Sequence, residues 1–230
     1  MDIVILGAGG HGRVVLDIIL AAGQHRPVGF LDNNPSLCGR RIDGVPVLGG
    51  MPQAGELAGR GIRGAIVAIG DNGVRRALAT ELERSGFELV SAAHPSAQIA
   101  RTAKVGQNVV IAAGAVVCAH TQIGDSVILN TGCIVDHECM IGTAAHICPG
   151  ARLAGHVTVE SGAFVGIGST VVQNVRIGLE AVVGAGAVVL NDVAPMTTVV
   201  GVPAREARSA PSTEDFASLT AAGISGVRRR

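Results

Sequence analysis

The sequence predicts a chain in two parts: a small α/β open sheet, then an all-β solenoid of stacked short strands. Three observations carry this. Short apolar runs alternate with helix-period segments over residues 1–93. From residue 99 an Ile, Leu or Val then recurs at every sixth position, from Ile99 through Val135 and Val165 to Val189, without a gap. Four residues after each stands a small or β-branched residue, and glycine recurs in the slot between, as at Gly106, Gly124, Gly142 and Gly166.

In the first part, "IVIL" (3–6) reads as a buried parallel strand. "GRVVLDIILAAG" (12–23) has helical spacing and stops on Gly23. "PVGFLD" (27–32) and "GAIVAIG" (64–70) read as further strands. "DNGVRRALATELERSG" (71–86) opens on an Asp or Asn cap and ends on Gly86, and "FELVSA" (87–92) closes the set. This is a βαβ-type parallel sheet of about four or five strands.

An ordinary helix or meander does not keep a period of six over ninety residues. A parallel β-helix does, because each hexad buries its apolar face only by stacking on its neighbours. Three hexads close one coil, so residues eighteen apart stack. The expected boundaries are 1–93 for a nucleotide-binding domain, 94–198 for the β-helix, and 199–230 for a loop and tail. "PSTEDFASLTAAG" (211–223) has the signals of a short helix.

Composition excludes some functions. Lys plus Arg equals Asp plus Glu, 18 each, and aromatics are 2% with no Trp or Tyr. Nothing there gathers or stacks nucleic acid. No apolar run reaches the length of a membrane span, and the N-terminus reads as a strand, not a signal peptide. Five cysteines with no C-x-x-C spacing point to reduced thiols and a cytoplasmic setting.

Glycines 7, 9 and 12 in "LGAGGHG" spell G-x-G-x-x-G, and Asp32 follows Gly12 by 20 residues. Between a strand and a helix that pattern leaves backbone amides free for phosphate. It raises a dehydrogenase reading, which the hexads behind it weaken, since they offer no hydride-transfer partner.

The hexads, "VVGVPAR" (199–205), and "LGAGGHG", "FLDNNPS", "AIGDN" and "HPSAQIA" in front resemble one family over residues 1 to about 205. These are the PglD/NeuD-like nucleotide-sugar acetyltransferases. The resemblance implies a Rossmann-like first domain that holds a nucleotide sugar, and a left-handed β-helix. It also implies a homotrimer with active sites between neighbouring β-helices, and acetyl-CoA as cosubstrate with no metal. N-acetylation of a nucleotide-linked 4-amino-dideoxy sugar is the leading expectation. O-acetylation of sialic acid or a related glycan is the alternative, and a non-catalytic nucleotide-binding protein is a remote one.

"VDHECMIGTAAH" (135–146) is the densest polar stretch of the repeats. Amide formation from a thioester needs a base for the amine proton and donors for the oxyanion. His137 is the candidate base, because imidazole titrates near neutral pH. Asp136 and Glu138 flank it, and the family motif favours Glu138 as orienting acid. Gly155 stacks above His137 and matches the family glycine whose amide faces the thioester carbonyl. His146 and Asn130 match family residues near acetyl-CoA and the catalytic pair. Gly9, Gly10, His11, Gly12, Asp32, Asn33, Gly70, Asp71 and Asn72 are the expected acceptor-binding residues, and His11 is the one the family turns toward the sugar. His120, Glu138 and His156 fall in one column. Because coils stand about 4.8 Å apart, that column is expected to spread its side chains and not to gather a metal.

Overall fold

The computed structural model describes residues 1–207. The stretch 211–223, read above as a short helix, lies outside them.

The first part is a sheet of six strands. β1 (Asp2–Leu6) leads into α1 (Gly10–Ala22) and β2 (Arg26–Leu31). β3 (Arg41–Ile42) and β4 (Val45–Gly49) follow, then α2 (Ala54–Gly59), β5 (Gly64–Val67), α3 (Asn72–Arg84) and β6 (Glu88–Leu89). The sheet order is β3-β4-β2-β1-β5-β6. All pairs are parallel except β3 with β4. Gly23 ends α1 in the left-handed region (φ 66°) and its N–H donates to the Ile19 carbonyl. Asp71 caps α3, its carboxylate accepting from the Val74 N–H at 2.7 Å.

Two elements differ from the sequence reading. β3 and β4 form a hairpin that periodicity did not show. Its turn is Asp43-Gly44, with φ of 48° and 85°, the left-handed pair that a two-residue hairpin takes. And "FELVSA" is not one strand. Glu88–Leu89 pairs with β5, whereas Ala92–Ala93 pairs with Val110–Ile111 and so begins the solenoid. The solenoid thus opens at residue 92.

The second part is a parallel β-helix with three walls. The first wall stacks Ala92–Ala93, Val110–Ile111, Ile128–Leu129, His146–Ile147, Phe164–Val165, Val182–Val183 and Thr198–Val200. The second wall runs from Gln98–Ile99 to Val188–Val189, and the third from Lys104–Val105 to Arg176–Ile177. Strand partners are eighteen residues apart, as in Ile134 with Arg152 and Met140 with Thr158, until the last first-wall pair, Val182 with Thr198, which is sixteen apart. The repeated aliphatics point inward: every one from Ile111 to Val189 is at most 4% exposed. Ile99 and Val105 are 38% and 39% exposed, because they belong to the first coil and no coil lies beneath them. Arg205–Glu206 folds back antiparallel on the last first-wall strand.

The period also sets the corners. From Asn108 to Gly186 every sixth residue has φ between 52° and 70°. Glycine takes this conformation freely, whereas a residue with a Cβ pays for it. Glu138 (57°) and His156 (59°) are among those that pay.

The two parts share one apolar core. Val110, Ala112 and Ile128 on the outside of the first wall are buried together with Ile3, Val15, Ile18 and Ile19. Polar ties cross the same seam. Arg75 of α3 is fully buried, and its guanidinium donates to the carbonyls of Ser126 (2.7 Å), Ala144 (2.8 Å), Ile69 (2.9 Å) and Gly70 (3.0 Å). Asn108 of the β-helix accepts from the Val67 N–H at the end of β5.

Candidate functional site

The corner between the second and third walls carries the polar stretch. Asp136 follows the Ile134–Val135 strand, and its carboxylate accepts from the His137 backbone N–H at 2.7 Å. That bond fixes the corner and leaves the ring to another partner. The partner is Glu138: its Oε2 lies 3.2 Å from His137 Nδ1. Of the two flanking carboxylates, then, Asp136 holds the backbone and Glu138 meets the imidazole.

Gly155 stands one coil above. A Cβ there would lie 2.5 Å from His137 Cε1 and Nε2, so only glycine fits against this ring. Its φ is not in the left-handed region. The requirement is therefore close approach of the ring, not a turn. Among the described residues the Gly155 N–H makes no backbone or side-chain hydrogen bond.

The side chains at this corner gather, contrary to the expectation from coil spacing. His137, Glu138 and His156 bring one donor atom each to within 4.8 Å of one another. Glu138 Oε2 is also 3.2 Å from His156 Nε2. The long corner side chains lean across the gap between coils and close it. These three residues are near enough to share a cation. His120 stays out of the group, and its backbone N–H donates to Thr102 Oγ1.

Cys139 points into the solenoid, fully buried, as its slot in the hexad requires. Burial pushes its thiol up to about 11, so at neutral pH it is no thiolate.

His146 and Asn130 lie elsewhere on the chain. His146 sits on a first-wall strand and Asn130 at the corner after the strand below it. Asn130 Nδ2 is 3.2 Å from His146 Nε2. His146 is only 8% exposed and packs edge-on to Phe164. Burial holds its pKa down to about 3, with the positive charge of Arg75 and the neighbouring His11 adding to the effect. The single chain therefore does not bring His146 and Asn130 onto the corner of His137.

His11, on the first turn of α1, faces this same seam. Burial and then Arg75 bring its pKa down to about 4, and its buried Nε2 has no partner among the described residues. Two neutral imidazoles and a buried guanidinium thus line the junction of the two parts.

The glycine turn has the form its sequence promised. Gly7 has φ 107°, and a Cβ on Gly12 would stand 2.1 Å from the Gly7 carbonyl oxygen. Gly9, Gly10 and Gly70 border open space. Asp32, at the end of β2, accepts from the Ala8 N–H (2.8 Å) and the Asn34 N–H (2.8 Å). It shapes the loop directly. Asn33 accepts from the Met51 N–H. Asn72 is committed to the seam, donating to the Gly162 carbonyl at 2.9 Å and accepting from Arg75. Sequence reasoning did not single out Arg75, and it placed His156 only in a column with His120 and Glu138. For His156 a signal existed, since it stacks one coil above Glu138. For Arg75 none did.

A groove of about 640 Å³ runs along the third wall, lined by Gln122, Met140, Thr158, Gly124, Gly142 and Leu179. Among the described residues no helix is long and apolar enough to cross a membrane.

Comparison with known proteins places this geometry. Residues 2–82 match the model of the PglD N-terminal domain family. The structure of PerB from Caulobacter crescentus, solved with CoA and GDP-perosamine, is 39% identical and covers 90% of this chain and 97% of that one, with a TM-score of 0.86. The acetyltransferase domain of PglB from Neisseria gonorrhoeae, solved with acetyl coenzyme A, is 33% identical over 90% of this chain and 98% of that one, with a TM-score of 0.84. A UDP-N-acetylbacillosamine N-acetyltransferase of Bacillus subtilis (strain 168) is 34% identical over 114 residues, 49% of this chain and 51% of that protein. The curated relative is thus matched over about half its length, the solved structures over nearly all of theirs. With the two-part fold shared along nine-tenths of its length, the chain belongs to the PglD-like family of hexapeptide-repeat acetyltransferases.

Proposed function

We propose that this protein transfers an acetyl group from acetyl-CoA to the amino group of a nucleotide-linked amino-dideoxy sugar, without a metal. The reading rests on one observation: His137 meets Glu138 through Nδ1 and turns its other side to the bare backbone of Gly155. That leaves Nε2 to take a proton and an amide N–H to meet an oxyanion.

The sugar nitrogen attacks the thioester carbonyl and the C–N bond forms. His137 Nε2 takes the proton from that nitrogen, and Glu138 stabilises the imidazolium. The Gly155 N–H donates to the developing oxyanion. Collapse breaks the C–S bond, and the departing CoA sulfur recovers the proton from His137. No covalent enzyme intermediate forms, in keeping with the buried thiol of Cys139.

Gly9, Gly10 and Gly12 cradle the phosphates at the α1 N-terminus. Asp32, Asn33, Gly70 and the second oxygen of Asp71 edge the nucleotide, with His11 toward the sugar. Asn72 serves chiefly as a tie to the β-helix. The division of labour follows the two parts: the α/β sheet holds the acceptor, and the β-helix, which opens at residue 92, holds the acetyl donor.

The working unit is a homotrimer. His146 and Asn130 lie on another wall from His137, so a second copy is needed to bring such residues to one site. Exposed Met140 (53%) and Leu179 (42%) along the third-wall groove are surface that a second copy would cover. The groove, closed by that copy, is where acetyl-CoA lies. The setting is the cytoplasm, where acetyl-CoA and nucleotide sugars are at hand.

The test is release of free CoA from acetyl-CoA with UDP-, dTDP- and GDP-linked 4-amino-4,6-dideoxy sugars. Release with at least one of them, lost by about 10²–10⁴-fold in His137→Ala, is expected. No release with any acceptor sinks the reading. Release only with hydroxyl acceptors turns it to O-acetylation.

A further inference from the structure

His156 has no place in the steps above, yet it touches them at one remove. Its Nε2 lies 3.2 Å from Glu138 Oε2, the same oxygen that stands 3.2 Å from His137 Nδ1. Its ring meets the His137 ring edge-on, with centroids 5.2 Å apart and planes at 89°. Its backbone N–H donates to the His137 carbonyl at 3.0 Å, which locks the two coils in register.

Glu138 needs such a partner. Its side chain is 51% exposed and sits on a left-handed corner. A half-exposed glutamate has several rotamers of similar energy, and one exposed ion pair holds it weakly. Two imidazole nitrogens from successive coils, each 3.2 Å from one oxygen, confine that oxygen, His137 by a hydrogen bond and His156 by an ion-pair approach. For Oε2 to accept from His137, that ring must carry its proton on Nδ1, and for the carboxylate to attract His156, that ring must carry a proton on Nε2. The first requirement leaves the lone pair of His137 Nε2 free, on the side that faces Gly155.

We infer that His156 is a positioning residue, which pins the Glu138 carboxylate and through it fixes the tautomer and ring plane of His137. The inference rests on the acetyl-transfer reading for its kinetic consequence, but not for the tautomer itself.

His156→Asn is the informative variant, because asparagine tolerates the left-handed corner while its shorter side chain falls short of Glu138. We expect kcat to fall about tenfold, with KM for both substrates and the melting temperature little changed. His156→Gln, whose amide nitrogen stands near the imidazole Nε2, should restore most of the rate. In a Glu138→Asn background, His156→Asn should cost nothing further. Ring-nitrogen NMR without substrate should show His137 as the Nδ1–H tautomer in the native protein and as a mixture in His156→Asn. An unchanged tautomer and kcat in His156→Asn, an equal penalty in both backgrounds, or a change confined to KM overturns the inference. An inactive native protein with the expected tautomers sinks the acetyl-transfer reading and leaves this one standing.

Discussion

The imidazole of His137 lies against the backbone of Gly155, one coil above, so closely that a Cβ there would stand 2.5 Å from the ring. The obstacle is a half-exposed side chain, which can swing away. Gly155→Ala should therefore fold with a nearly native melting temperature and turn over about 10²-fold more slowly or worse. A crystal structure of the variant should show the His137 ring displaced. Native turnover would separate Gly155 from the chemistry.

Glu138→Gln keeps an acceptor beside His137 but removes the charge that balances the imidazolium. We expect kcat to fall by about 10- to 100-fold with KM for acetyl-CoA within about twofold. The comparison with Asp136→Asn is decisive, since Asp136 meets the backbone N–H of residue 137 and the Cys118 thiol but not the imidazole. That variant should lose stability more than rate.

Asp32 holds two loop amides with its two oxygens. Asp32→Ala leaves them unpaired and frees the glycine turn to move. The loss of two charge-assisted bonds is worth about 1–3 kcal/mol, enough to raise KM for the nucleotide sugar about tenfold. KM for acetyl-CoA should not move. Isothermal titration with the nucleotide alone checks it, and equal weakening of both ligands would argue for general misfolding.

His11 and His146 titrate near 4 and 3, below the usual 6.5. The unfolded chain therefore binds more protons than the folded one once pH falls below about 6.5. Stability is at its plateau above that pH and is lost as pH falls toward the folded values, by up to about 1.4 kcal/mol per pH unit per histidine. Urea midpoints from pH 7 to pH 4 should fall accordingly, and the slope should shrink in His11→Asn. Two imidazoles should still be neutral by NMR at pH 5.

Arg75 is a buried cation whose hydrogen bonds all go to carbonyl and amide oxygens. Arg75→Met leaves those oxygens without donors at the seam. A loss of about 3 kcal/mol or more is expected, measured by urea denaturation. A transition that splits in two would show that Arg75 couples the unfolding of the two parts.

Much of this was legible in the chain. The hexad period encodes its own structure: residues eighteen apart must stack, so the inward aliphatics, the corner residues and the place of Gly155 over His137 follow from counting. The glycine turn was equally plain, because Gly7 and Gly12 occupy positions where a side chain has no room. The Asp43-Gly44 hairpin was written in the sequence too, as a turn signal between two runs too short for periodicity to reveal.

What counting could not reach are contacts made by side-chain direction and by docking. The sequence by itself determined the two-part fold, the eighteen-residue stack and the corner that bears His137. Only the tertiary structure decided that Glu138 and not Asp136 meets the ring, and that His156 reaches the same oxygen. It alone buried His146 and His11 beside Arg75. The physical reason is range. Stacking is a nearest-neighbour interaction that repeats, so a pattern announces it. The seam joins residues 41 to 91 positions apart, as in Val67 with Asn108 and Asn72 with Ala163, through contacts that occur once and leave no period to read.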